Sequence, residues 1–295
     1  MILGIFAAIV AAFGYGTASL LQAHGASRVS AGGEPTATPG AGGAPTVAST
    51  IATVLTVSYL AGLCLDGLGF IGNLVAAREL PLFLAQPIVS ANLIVTAVGA
   101  VLFLGARLTP REWTAIAVVV GALVLLGFAS GPEGHGHDDP WLHWTVLVVG
   151  IVLVIGGVVA MRLTPPGRWV AVSAGLLGGV LFGILAVAVR ILDGLDPFHP
   201  TTLLSDPACY ALLICGVGGF YMFTVALQTG SVAAASASLV VGETVVPGVV
   251  GIVLLGDQVR DGWGPVAVIA FTAAVIGAVV VATSSAVESV EVASG

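Results

Sequence analysis

Nine apolar runs divide this chain, each about as long as the 17 to 25 residues a helix needs to cross a bilayer. They cover residues 2–23, 50–77, 82–105, 112–130, 143–161, 169–192, 208–228, 232–255 and 263–283. Only 8% of the 295 residues are charged and 58% are hydrophobic, whereas a globular domain carries about 25% charged residues. Most of the chain is therefore expected in lipid. The fold class that follows is an all-α polytopic membrane protein of about nine transmembrane helices, with the bilayer as its main partner. The second run exceeds what a bilayer needs and is expected to tilt or protrude. The first is apolar like a signal peptide, but it lacks a basic n-region and no small-x-small cleavage site follows Leu21. It is expected to stay as a helix. Residues 24–46, rich in Gly, Pro, Ala, Thr and Ser, are expected to form a flexible loop.

Composition also removes several function classes. The formal net charge of −7 argues against nucleic-acid binding, which needs a basic face. Cys64, Cys209 and Cys215 lie inside apolar runs with no CxxC, so they read as small buried hydrophobes rather than disulfides or zinc ligands. No HExxH, GxSxG or P-loop is present, which argues against an enzyme and against a resident cofactor.

Part of the chain is written twice. Gly67 to Trp113 and Gly216 to Trp263 place Gly69-Phe70, Ala76, Ala85 and Trp113 opposite Gly219-Phe220, Ala226, Ala235 and Trp263. Gly105 falls opposite Gly256, and Asn92 opposite Glu243, if one residue is gained between the copies. Helices 2, 3 and 4 thus recur as helices 7, 8 and 9. An offset of five is odd, so the copies must cross the membrane in opposite directions. Two inverted repeats are the expected frame: residues 1–130 as four spans and 143–283 as five. A polar His/Asp loop (131–142) separates them and an acidic tail (284–295) follows. Inverted repeats can exchange conformations, which is a physical basis for alternating access.

All eight basic residues are arginine. Arg28, Arg107, Arg111, Arg162 and Arg168 fall on one side of such a topology, and Arg78, Arg190 and Arg260 on the other. The positive-inside rule then puts the N-terminus outside and the C-terminus in the cytoplasm, in a cell (inner) membrane.

The segments ARELPLFLAQPI and FLGARLTPREW, each closing or opening an apolar helix, resemble the drug/metabolite transporter superfamily. There, comparable helix units recur in both halves of a ten-helix protein. The four-plus-five layout and the long segment after the first helix are similar to the NIPA-like magnesium transporter branch. The resemblance implies an inner-membrane solute carrier with a central cavity.

Two carboxylates sit near the middle of apolar runs, Asp66 in the second and Glu243 in the eighth. A charge at bilayer depth costs about 2.5–3.5 kcal/mol on insertion scales, so such groups face a cavity, a partner or a proton. Asp66 could instead cap a break at Gly67/Gly69, and Glu243 could bond a neighbouring helix. Pro247 lies four residues after Glu243 and would free its carbonyl, and Thr244 adds a hydroxyl. Pro87 would likewise free the carbonyl of Phe83, with Gln86, Ser90 and Asn92 nearby. Asn73 shares a face with Asp66, and Tyr15 between two glycines is a candidate cavity aromatic. Together these predict a site for a proton, Mg²⁺ or a small solute. Arg190 is expected to pair with Asp193 and Asp196 at the membrane surface. In the segment GHGHDDPWLHW, His135, His137 and Asp138, with Asp139 and His143, have the residue types of a metal site but read equally as a solvated loop.

The function expected is a secondary transporter, moving a small solute or cation by alternating access. A scaffold or accessory subunit of a cell-envelope complex and a lipid-linked-sugar flippase also fit the chain, as does a homodimer.

Overall fold

The computed structural model describes residues 1–32, 57–134, 140–164, 168–195, 198–229, 232–284 and 287. Its helices are α1 (Ile2–Gly32), α2 (Val57–Glu79), α3 (Leu82–Ser90), α4 (Asn92–Leu104) and α5 (Pro110–Ala129), followed by α6 (Pro140–Leu163), α7 (Arg168–Ile191), α8 (Pro200–Ser205), α9 (Pro207–Thr229), α10 (Val232–Val253) and α11 (Gly264–Ala282). Among the described residues there is no strand beyond two isolated bridges. Nine helices there are long and apolar enough to cross a membrane, with Leu82–Phe103 counted as one. That is the fold class expected of a multi-pass membrane protein.

Most helix boundaries shift by a few residues from the sequence expectation, and three of the differences have an identifiable local setting. Helix α1 continues to Gly32, so residues 24–32 are helical rather than loop. An isolated glycine costs a helix only about 1 kcal/mol, and Gly25 does not break it; the rest of the expected loop lies outside the described residues. The third run is interrupted at Ala91, which separates α3 from α4. The fourth helix begins at Pro110, ahead of its apolar run, because Thr109 and Glu112 form a capping box.

Helices in lipid gain little from burying apolar surface against one another, so they associate where small residues let backbones approach. The buried core is accordingly dominated by alanine, with Ala7, Ala8, Ala11 and Ala76 on the α1–α2 face. Helix α1 packs on α2 and on α3 and α4, and α7 packs on α9 and α10. The span within α7 is the most buried of the nine, whereas α6 is the least buried and touches mainly α7 and α9. Large apolar side chains such as Phe6, Phe13, Phe128 and Ile155 point outward, where lipid would meet them.

The two repeat segments end in the same backbone turn. Gly105 closes α4 with φ +71°, and Gly256 follows α10 with φ +75°. In both, the next residue returns to the helix six positions back, Ala106 N–H to Ala100 O at 3.2 Å and Asp257 N–H to Gly251 O at 2.9 Å. Each bond reaches one residue further back than the Schellman bond does, and as in that motif the turn is made by a glycine in the left-handed region. A Cβ at Gly256 would meet no atom within 4 Å, so Gly256→Ala should cost only the backbone term, about 1–2 kcal/mol. Thermal unfolding of the purified variant in detergent checks this.

Candidate functional site

Between the two halves lies a cavity of about 450 Å³ that both midspan carboxylates line. Asp66 and Asn73 reach it from α2, Tyr15 and Ser19 from α1, Gln86, Val89 and Ser90 from α3, and Asn92 from the start of α4. Glu243 enters from α10, and Phe182, Leu185 and Gly216 close the far wall. Thus six of the seven expected binding residues meet in one place.

The polar groups are joined across helices. The Ser90 hydroxyl donates to Glu243 Oε1 at 2.9 Å, linking the first half to the second. Gln22 Nε2 donates to Asp66 Oδ2 at 2.5 Å, and Gln86 Nε2 donates to Asn73 Oδ1 at 3.4 Å. The Tyr15 side chain stands in the same cavity as Asn73, Asp66 and Glu243. Each carboxylate is half-buried and has one such side-chain donor, whereas a carboxylate can accept about four hydrogen bonds. No arginine or histidine lines the cavity among the described residues, and the chain contains no lysine. The lining is therefore net acidic and has acceptor capacity to spare.

The helix break explains part of this arrangement. Pro87 has no N–H to offer Phe83, and the helix ends one turn later, where Ala91 N–H reaches back to Pro87 O and Ile88 O. Ser90 and Asn92 flank that break and both line the cavity. The second proline behaves differently, since α10 runs unbroken through Pro247. Thr244, expected beside Glu243, is not in the cavity. It is buried and donates its hydroxyl to Val240 O at 2.5 Å, because consecutive residues on a helix face about 100° apart.

A smaller space of about 150 Å³ adjoins Glu243 on the side of α4 and the start of α10. Thr96, Ser236, Leu239 and Val287 line it, and it shares Ser19, Asn92 and Glu243 with the larger cavity. Glu243 therefore stands where the two spaces meet.

The opposite end of the bundle is held by a knot of hydrogen bonds. Arg190 is expected from the sequence to pair with Asp193 and Asp196; Asp196 lies outside the described residues, and among those described Arg190 turns inward rather than to Asp193. Its Nη1 donates to the carbonyls of Ala77, Arg78 and Leu80, and its Nη2 donates to Gly134 O at 2.8 Å and Asp257 Oδ1 at 3.4 Å. Asp257 also accepts from the N–H groups of Leu82 and Gly134. The end of α2 leaves carbonyls without a helical partner, and a guanidinium with five donors can satisfy several of them at once. Residues 129–132 pair with the backbone of 258–260 at the same end.

Of the expected metal-site residues, His135, His137, Asp138 and Asp139 lie outside the described residues. His143 is buried, with Nδ1 2.6 Å from Asp206 Oδ1. Its ligand atom lies close to those of Asp193 and Asp206. Yet Asp206 is already engaged, accepting from Asp193 N–H and Ala208 N–H, and it sits at the N-cap of α9. It caps the helix, and Asp206→Ala should cost about 1–2 kcal/mol, measured as a lower unfolding midpoint. Cys64, expected to be buried, is exposed on the outward face of α2.

Sequence reasoning missed Gln22 as the partner of Asp66, Asp257 as the partner of Arg190, and Phe182 as a cavity wall. Asp206-Pro207 carries the N-cap signature of a helix start, so that cap was findable. Nothing in the spacing pointed to the other three. Comparison with protein-family models, curated proteins and solved structures gives no match for this chain.

Proposed function

We propose that the protein is a secondary transporter that carries a small cation or cationic solute by alternating access, with Glu243 and Asp66 as the groups that hold the charge. One observation supports this above the others. Two carboxylates from opposite halves of the chain, both in membrane-length helices, line one cavity with no basic residue beside them among the described residues. Such charges are costly in a membrane and are kept where a pathway uses them. A purely architectural role gives Glu243 no use for its position between two spaces.

The two halves are taken as inverted repeats, supported by the aligned segments, the matching Gly105 and Gly256 turns, and the corresponding close packing of α1 on α2 and of α7 on α9. In this reading the N-terminus lies outside and the C-terminus in the cytoplasm of a cell membrane. The Arg190–Asp257 knot then closes the outer end, and the solute reaches Glu243 through the space near Val287. Alternating access would break one closure while forming the other.

The test is flux in liposomes carrying the purified chain, with Mg²⁺, protons and organic cations assayed separately. Saturable flux that disappears in Glu243→Gln supports the reading. Flux that survives in that variant, or a well-folded chain that moves none of these, would sink it and favour a scaffold.

A further inference from the structure

The walls of the cavity say more about its occupant than the carboxylates do. Tyr15 and Phe182 both line it, and each ring is seated in the same manner. A Cβ at Gly69 would lie 2.9 Å from Tyr15 Cδ1, and a Cβ at Gly219 would lie 3.1 Å from Phe182 Cδ1. Gly69 and Gly219 are the pair that the two repeat segments align. Each half therefore presents one aromatic ring, pressed against the glycine of the helix packed beside it. Neither ring can retreat toward that helix without a clash, so both stay at the cavity surface.

We propose that the cavity binds a small organic ammonium ion, its charge held by Glu243 and Asp66 and its apolar substituents packed against Tyr15 and Phe182. The inference deepens the carrier reading and rests on it for its biological use. Cations bind over aromatic faces, and rings grouped with a carboxylate suit alkylated ammonium groups. A hydrated divalent ion would find oxygen partners on the polar wall alone and leave the apolar wall of Phe182, Leu185 and Val89 unused, whereas an alkylated ammonium ion uses both. The volume, about 450 Å³, is that of a small-molecule site, within the range of about 300–1,000 Å³, and is far larger than a single ion requires.

The test is calorimetric titration of the detergent-purified chain with tetraethylammonium chloride and, separately, with MgCl₂. Saturable tetraethylammonium binding that a large excess of Mg²⁺ does not displace is expected. Phe182→Leu and Tyr15→Leu, which keep apolar bulk but remove the ring, should each weaken it about 3- to 30-fold, and Glu243→Gln should weaken it at least as much. Mg²⁺ binding without tetraethylammonium binding, or tetraethylammonium binding indifferent to both leucine variants, overturns the proposal. The wild-type comparison stands even if a variant fails to fold. The two readings fail separately. Mg²⁺ flux without ammonium binding keeps the carrier and removes this ligand, whereas ammonium binding without flux does the reverse.

Discussion

Glu243→Gln is expected to lower saturable cation flux by about 10- to 100-fold while leaving the helical content and the elution volume of the purified protein unchanged. The size follows from removing one charge-assisted contact, worth about 1.5–3 kcal/mol. The amide keeps the shape of the side chain and still accepts from the Ser90 hydroxyl, now 2.9 Å from Oε1. The fold therefore loses little, and the loss falls on the ligand. Thr244→Val is the internal control. Its hydroxyl bonds Val240 O and does not line the cavity, so flux should change less than about twofold, because back-bonding of this kind contributes little. A transport defect in Thr244→Val equal to that in Glu243→Gln would show that the helix as a whole, and not the carboxylate, is being disturbed.

Arg190→Met is expected to be the most destabilising single change, at about 3–5 kcal/mol, measured by denaturant unfolding in mixed micelles. The Arg190 and Asp257 side chains are only 5% and 0% exposed. Taking away one member of a buried pair leaves the other charge uncompensated, and that is where costs of this size arise. Three carbonyls of the α2–α3 turn and that of Gly134 lose their donor as well. Removing the second charge should recover part of the loss. Arg190→Met combined with Asp257→Asn is expected to be less damaging than the sum of the two, with a coupling of about 0.5–3 kcal/mol. Strict additivity would mean that the knot is not a unit.

Much of the fold was legible because a bilayer allows few solutions. Long apolar runs predict helices almost regardless of detail, and all nine are found. Their ends were less legible where local chemistry overrode hydropathy. The Thr109–Glu112 box moved one start outward, and the chain after Gln22 stayed helical although its composition pointed to a loop. The site was partly legible for a different reason. A carboxylate in an apolar run stands out in any sequence, so Asp66 and Glu243 could be picked out, with Asn73, Gln86 and Asn92 following by proximity. Partners from distant spans could not be. Gln22 meets Asp66 across 44 residues and Arg190 meets Asp257 across 67, and no spacing rule reaches that far. Thr244 was misplaced by treating a neighbour in sequence as a neighbour in space. Phe182 was passed over because an aromatic in an apolar helix carries no mark until its glycine seat on the next helix is known.

The most direct test of a carrier is counterflow. Liposomes holding the purified chain are loaded with excess unlabelled tetraethylammonium, or with Mg²⁺ in a parallel arm, and diluted into a trace of the same labelled cation. A carrier whose site faces one side at a time accumulates label transiently above its outside level, with no other energy source. The account predicts such an overshoot for the ammonium ion, and predicts that it vanishes in Glu243→Gln. Simple equilibration without overshoot for either cation, or an overshoot undiminished in Glu243→Gln, would contradict it.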